Sequence, residues 1–360
     1  MGAGTMGTGI AMAAANAAVD VVLLDLQPGA LGRARDAIGR QYATSVAKGK
    51  LTQDDAERVS ARIAFAGGLD AVSGAGAVIE AVFEEMDVKQ DVFRALDRIA
   101  APGALLATNT STLDVDAIAA VTSRPQDVLG LHFFSPAHVM KLLEIVRGAK
   151  SSEATIERGR AFAARLGKVG VVAGNCDGFI GNRMLHPYLR ETIFMVEEGA
   201  TPAQIDRVMT DFGFAMGPFQ MGDLAGLDVG WRIRKRKLAD GSWHGRYPHL
   251  ADRVCELGRY GQKTGAGWYR YEPGSREPHE DPLVEALAAE CAREAGIARG
   301  PIDDDEILER ALRPLYEEGE AILREGIASG ADDIDTVWRY GYGFPAALGG
   351  PMQWGRARWT

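Results

Sequence analysis

The chain has 360 residues and a net charge of −9 at pH 7, long enough for two domains with cores of their own. The acidic balance argues against a general nucleic-acid or acidic-membrane binder, and no apolar stretch reaches the ~20 residues of a membrane span. Three cysteines (Cys176, Cys255, Cys291), odd in number and without CxxC spacing, speak against a disulfide framework and for a reducing cytoplasm.

In chain order, MGAGTMG carries Gly2, Gly4 and Gly7 in GxGxxG spacing, and a small-residue helical stretch, Thr5–Ala15, follows. A helix opening there turns its N–H groups toward an anion such as a dinucleotide pyrophosphate. The motif normally follows a buried strand, yet only Met1 precedes it. The run from Ile10 to Leu26 is no signal peptide, because it lacks a basic n-region and contains Asn16 and Asp20.

VVLLD at 21–25 is a strand run, and 29–48 reads as a helix. RIAFAG (62–67), GAVIEAVF (76–83), ALLATNT (104–110), VLGLHFF (128–134), LLEIV (142–146) and VGVVAG (169–174) are further strand runs, several separated by helical patterns. Such alternation predicts a mostly parallel, doubly wound sheet. Asp25 ends the first of these strands, 18 residues after Gly7. An acid there can accept hydrogen bonds from ribose hydroxyls and repel a 2′-phosphate, which favours NAD over NADP. Its other reading is a turn residue ahead of Gln27-Pro28.

After Asn175 the pattern turns helical. RMLHPYLRETIFMVEEG (183–199) and RALRPLYEEGEAILREG (310–326) align with Leu185/Leu312, Pro187/Pro314, Glu191/Glu318, Glu198/Glu325 and Gly199/Gly326 in register. Ile205-Asp206 and Ile334-Asp335 follow, then Gly213-Phe214 and Gly343-Phe344, then GPF and GGPM. Two copies of one helical module are predicted. RIRKRK (232–237) reads as a solvated face rather than an anion site.

NTST (109–112), GLHFFSPAHVMKLLE (130–144) and GNRM (181–184) lie at later strand ends, where ligands of doubly wound sheets gather. Oxidising an alcohol with NAD requires a base for the hydroxyl proton, and a neutral His with a carboxylate partner suits it. His132 and Glu144 are the candidate pair, with Ser111 and Asn182 to orient the reacting oxygen. The pattern alone leaves a merely packed histidine open. No metal signature such as HExxH occurs.

GAGTMG, NTST, GLHFF, MKLLE, DGFIGNRM, MGPF and GQKTGAGWY together resemble the L-3-hydroxyacyl-CoA dehydrogenases. SPAHVMKLLE, DLAGLDVGW and the second helical copy are most similar to the dehydrogenase half of bifunctional enoyl-CoA hydratase/3-hydroxyacyl-CoA dehydrogenases. The resemblance covers nearly the whole chain. It implies a Rossmann-type doubly wound α/β sheet followed by an all-α domain with two helical modules. It also implies oxidation of an acyl-CoA substrate in fatty-acid β-oxidation with NAD. The family's catalytic residues fall on His132, Glu144, Ser111 and Asn182. Its nucleotide contacts fall on Gly2, Gly4, Thr5, Met6, Gly7, Asp25, Glu84, Lys89, Asn109, Ser135 and Lys263. Ser135 stands where many members carry Asn.

The expected boundaries are 1–175 for the NAD-binding domain and 176–272 for the first helical module. A linker (273–300) and a second, truncated module (301–360) follow. The second copy has Glu309 where the first has Asn182, so it is expected to pack rather than catalyse and to favour a monomer. The family's first strand is expected to be missing before Gly2, and the ending QWGRARWT departs from similar proteins. A fragment is therefore expected, and the sequence leaves open whether a hydratase domain lies upstream in a longer chain. The rival expectation is a dinucleotide- or CoA-binding protein without turnover.

Overall fold

The computed structural model describes residues 1–359 and divides into two units: 1–183 with 321–342, and 184–320 with the chain from Gly343 onward.

In the first unit the order is α1 (Thr5–Asn16), β1 (Val21–Leu24), α2 (Ala30–Ala47), α3 (Gln53–Ser60), β2 (Ile63–Ala66), β3 (Ala77–Glu80), α4 (Met86–Ile99), β4 (Leu105–Thr108), α5 (Val115–Ala119), β5 (Val128–Phe133), β6 (Leu142–Arg147), α6 (Glu153–Arg165) and β7 (Val169–Gly174). Each apolar run became a strand. β1 and β2 form one parallel pair, and β3-β4-β5-β6-β7 form a five-stranded sheet. Its pairs are parallel except β5 with β6. Only eight residues, Phe134–Lys141, join those two strands, too few for the crossover that a parallel pair needs. The chain therefore turns straight back. Alternate strand residues feed two layers: Leu105, Leu129, Leu131 and Ile145 pack on Ile156 of α6, while Leu106 and Val128 pack on Phe93 and Leu96 of α4.

Between β1 and β3 there is no ladder. One residue step bridges them: the Gly2 N–H donates to Leu24 O (2.8 Å), the Met1 amino group to Ile79 O (2.6 Å) and the Ala81 N–H to Met1 O (2.8 Å). The rest of that interval is an apolar groove of ≈ 570 Å³ lined by Ile10, Ala14, Val22, Leu24, Val78 and Ile79 among others. Among the described residues no strand lies between β1 and β3, where the family's first strand was expected to be missing.

The helical repeat is present. α7 (Gly181–Glu198), α8 (Pro202–Phe212) and α9 (Pro218–Ala225) form the first copy, and α10 (Leu227–Ala239), α11 (His249–Glu256) and α12 (Pro282–Ala295) follow it. α13 (Asp304–Arg324), α14 (Ala331–Gly341) and α15 (Pro351–Trp359) form the second copy. The stretch read as a linker, 273–300, thus carries the 14-residue α12. Ion pairs link equivalent positions of the two copies. Arg183 meets Glu325 at 2.6 Å in the first unit, and Arg310 meets Glu198 at 2.7 Å in the second.

In the second unit, buried Asp206 of α8 accepts the Phe219 and Gln220 N–H groups at the start of α9, and Asp223 accepts those of Trp268 and Tyr269. Gly217 and Gly267 of MGPF and GAGWY pass so close to these carboxylates that a Cβ would stand 2.3 and 1.9 Å away. Burial pushes both carboxyls up to about 6, against the hydrogen bonds they accept.

Residues 321–342 of the second copy belong to the first unit rather than to a separate 301–360 module. The reason is packing on the sheet: the Gly174 N–H at the end of β7 donates to Ile327 O at 2.7 Å, and Gly341 of α14 lies against Leu142 of β6.

Candidate active site

The antiparallel return of β6 on β5 sets His132 directly opposite Glu144. Nδ1 and Glu144 Oε2 are 2.7 Å apart, both side chains are buried, and Glu144 is fully so. A carboxylate accepting from Nδ1–H leaves Nε2 as the nitrogen able to take a proton. The other carboxylate oxygen, Oε1, accepts the N–H groups of Ile180 (3.2 Å) and Gly181 (3.0 Å). Glu144 thus ties the histidine to the first turn of α7, where Asn182 sits. Rings close the surroundings: Phe134 lies 4.5 Å and Phe179 5.7 Å from the imidazole, centroid to centroid. Phe179 adopts a left-handed φ of 52° while fully buried, a costly conformation for an aromatic residue that marks a held position.

Ser111 is reached from the other side. Glu84 accepts from Thr110 Oγ1 (2.6 Å), from the Ser111 N–H (2.7 Å) and from Ser111 Oγ (3.2 Å). Burial opposes its charge, but Lys89 and these hydrogen bonds outweigh it and hold the carboxyl below the ordinary carboxylate range. Lys89 is not a surface lysine. Its side chain is 1% exposed and its ammonium lies 2.7 Å from Glu80 and 3.2 Å from Glu84. It sits beneath the site and reaches it through Glu84. Glu80, which sequence reasoning missed, is fully buried and also accepts from Thr108 Oγ1 at 2.7 Å. The spacing Glu80–Glu84–Lys89 carried no signal, since only burial makes an ion pair of it. Asn109 Oδ1 accepts the Phe133 N–H at 2.9 Å, fixing the backbone beside His132.

The glycine loop has the shape a pyrophosphate requires. Gly2 has φ +92°, and a Cβ there would lie 2.5 Å from Ala81 O. A Cβ on Gly7 would lie 1.8 Å from Gly2 O, whereas one on Gly4 would meet nothing within 4 Å. The loop is closed on its protein side and open at Gly4. α1 starts at Thr5 with no side-chain cap and no acid in its first turn, so the N–H groups of Thr5, Met6 and Gly7 are available to an anion. Asp25 is bound into this loop: Oδ2 accepts the Ala3 N–H at 2.7 Å and Oδ1 the Gln27 N–H at 2.8 Å. A groove of ≈ 640 Å³ runs past Gly4 and Thr5 to Ser135, with Arg33 and Arg40 of α2 along its wall. Those two arginines, seven apart and so on one helical face, were also missed. The residues fit a dinucleotide. Lys263 lies in the second unit, where its ammonium pairs with Asp228.

Residues 1–176 match the family model for the 3-hydroxyacyl-CoA dehydrogenase NAD binding domain. Residues 178–271 match the 3-hydroxyacyl-CoA dehydrogenase C-terminal domain. The chain belongs to the 3-hydroxyacyl-CoA dehydrogenase family. Similar full-length relatives are peroxisomal bifunctional enzymes, from Danio rerio at 47% identity and from Homo sapiens at 43%. In each case 98% of this chain aligns with 50% of the relative, so the chain spans about half the length of the curated relatives it matches. Among solved structures, a 3-hydroxybutyryl-CoA dehydrogenase from Escherichia coli K12 superposes with a TM-score of 0.84 at 29% identity, covering 99% of this chain and 90% of that one. The dehydrogenase part of multifunctional enzyme 1 from C. elegans gives 0.68 at 29%, covering 96% and 77%. The first family domain ends where β7 hands over to α7, between Glu144's two backbone partners and the strand that precedes them.

Proposed function

We propose that this chain oxidises L-3-hydroxyacyl-CoA to 3-ketoacyl-CoA with NAD, as a step of fatty-acid β-oxidation. The observation that carries the proposal is the buried His132–Glu144 pair, 2.7 Å apart, with Glu144 also bound to the backbone of α7. His132 Nε2 takes the proton of the substrate 3-hydroxyl. Glu144 holds the imidazole in the tautomer that leaves Nε2 free and stabilises the imidazolium as it forms. Ser111 and Asn182 hold the reacting oxygen, and the Glu84 carboxylate positions Ser111. NAD, when bound, supplies the hydride acceptor, and the Thr5–Gly7 N–H groups at the start of α1 hold its pyrophosphate. The reverse reaction gives a direct test: NADH consumption with acetoacetyl-CoA. The wild type is expected to turn over and H132A to be inactive with unchanged NAD binding. Equal rates in both would overturn the assignment.

A second reading, a dinucleotide- or CoA-binding protein without turnover, is favoured by the groove between β1 and β3. A folded, NAD-binding but inactive wild type would support it. We read the chain as a monomer, because the Arg183–Glu325 and Arg310–Glu198 pairs join two copies of one module as two subunits would be joined; light scattering checks this. The free cysteines lead us to assign a cytoplasmic location, and the relatives named peroxisomal make organelle fractionation the check. No helix among the described residues is long and apolar enough to cross a membrane.

A further inference from the structure

Asn182 has a partner from the far end of the chain. The Tyr342 hydroxyl, just past the end of α14 in the second copy, donates to Asn182 Oδ1 at 2.9 Å across 160 residues of sequence. The ring is held on two sides: it stacks on Trp338 (centroids 4.7 Å, planes 25° apart) and stands edge-on to Phe134 (5.6 Å, 83°). Phe134 is the residue whose ring touches His132. Gly181 makes room for it, since a Cβ there would come within 2.6 Å of the Tyr342 ring and hydroxyl. Burial, helped by the charge of Glu144, raises the phenol well above its ordinary pKa, so it keeps the proton it donates.

In the first copy the residue before the matching Gly-Phe is Phe212, which has no hydroxyl and packs on Phe344 and Trp354. Packing alone therefore does not call for a phenol at this point of the module.

We propose that Tyr342 is a positioning residue that fixes the Asn182 carboxamide, engaging Oδ1 so that the Nδ2 hydrogens face the substrate oxygen. An amide with its acceptor free can rotate by half a turn and present oxygen to oxygen, which would repel the reacting group. The second helical copy thereby completes the site that the first copy carries. This inference rests on the dehydrogenase reading of His132 and Asn182.

The test is a double-mutant cycle with Y342F and N182A, assayed by NADH consumption with acetoacetyl-CoA. Y342F keeps the ring and copies the first module's residue. It is expected to lower kcat about tenfold, the worth of one well-placed hydrogen bond, with the KM for NADH unchanged. In the N182A background it is expected to add less than about twofold, because its partner is gone. Y340F, at an exposed neighbouring tyrosine, is expected to match the wild type. G181A, which pushes the ring aside without removing the hydroxyl, is expected to reproduce the loss. A Y342F kcat within twofold of wild type, or losses that multiply in the double variant, would overturn the proposal.

A second readout does not depend on turnover. With 15N-asparagine labelling, the Asn182 side-chain amide resonances, assigned by their loss in N182A, are expected to shift or broaden in Y342F. Unchanged resonances would overturn the contact. A folded wild type that consumes no NADH would overturn the dehydrogenase reading instead, and the resonances would still decide the contact.

Discussion

Glu144 makes three hydrogen bonds with two oxygens, and the three can be separated by choice of substitution. Gln at 144 keeps the volume and retains an Oε1 to accept the Ile180 and Gly181 N–H groups. It removes the negative charge opposite His132 and offers an NH₂ that favours the wrong imidazole tautomer. A hydrogen bond to a charged group contributes about 1.5–3 kcal/mol, and each 1.36 kcal/mol is tenfold in rate. E144Q is therefore expected to lower kcat by roughly 10- to 150-fold, and further if the wrong tautomer dominates. KM for the acyl-CoA should change little, since Glu144 is fully buried and both its oxygens are engaged by His132 and the start of α7. Ala at 144 is a different experiment. It leaves the Ile180 N–H, the Gly181 N–H and the His132 Nδ1–H buried without an acceptor, at about 1–3 kcal/mol each. That sum approaches a typical total stability of about 5–15 kcal/mol, so E144A is expected to fold poorly while E144Q folds normally. Urea melts establish the folded state, and NADH absorbance with acetoacetyl-CoA gives the rates. A folded E144Q with kcat within about threefold of wild type would refute the assignment of Glu144 as the partner of a catalytic imidazole.

Two pH experiments follow from the charged groups around the site. Glu84 is held below its ordinary value of 4.5, so its contribution to stability is complete above that pH and is lost as pH falls through the depressed folded value. The stability gap between wild type and E84Q is expected to be widest at neutral pH and to close in acid, as read by urea melts at a series of pH values; a constant gap would contradict it. Lys168 donates to Ala137 O and Met140 O on the loop between β5 and β6, and burial, with Lys141 beside it, lowers its ammonium from 10.5 to about 8. Between those values the unfolded state binds more protons than the folded one, so stability rises with pH. K168M is expected to remove that rise relative to wild type, and parallel curves would show that the lysine is not desolvated as described.

The strands and the helical repeat were legible in the sequence, because each is a local pattern, whereas His132 stood out only as a candidate at a strand end until the family resemblance singled it out. Apolar runs of four to six residues mark buried strands, and seventeen-residue self-similarity marks a module. Glycine spacing marks a loop that must approach a phosphate. What joins these pieces was not legible. That β6 returns antiparallel follows from an eight-residue connection, and only that return places Glu144 opposite His132. Lys89 reads as solvated until α4 packs on β3 and buries it between Glu80 and Glu84. Tyr342 meets Asn182 because α14 of the second copy lies on β6 and β7. Local sequence dictates backbone conformation through sterics and burial period, whereas a contact across 160 residues exists only once the sheet and the helices that cover it have closed around the same core.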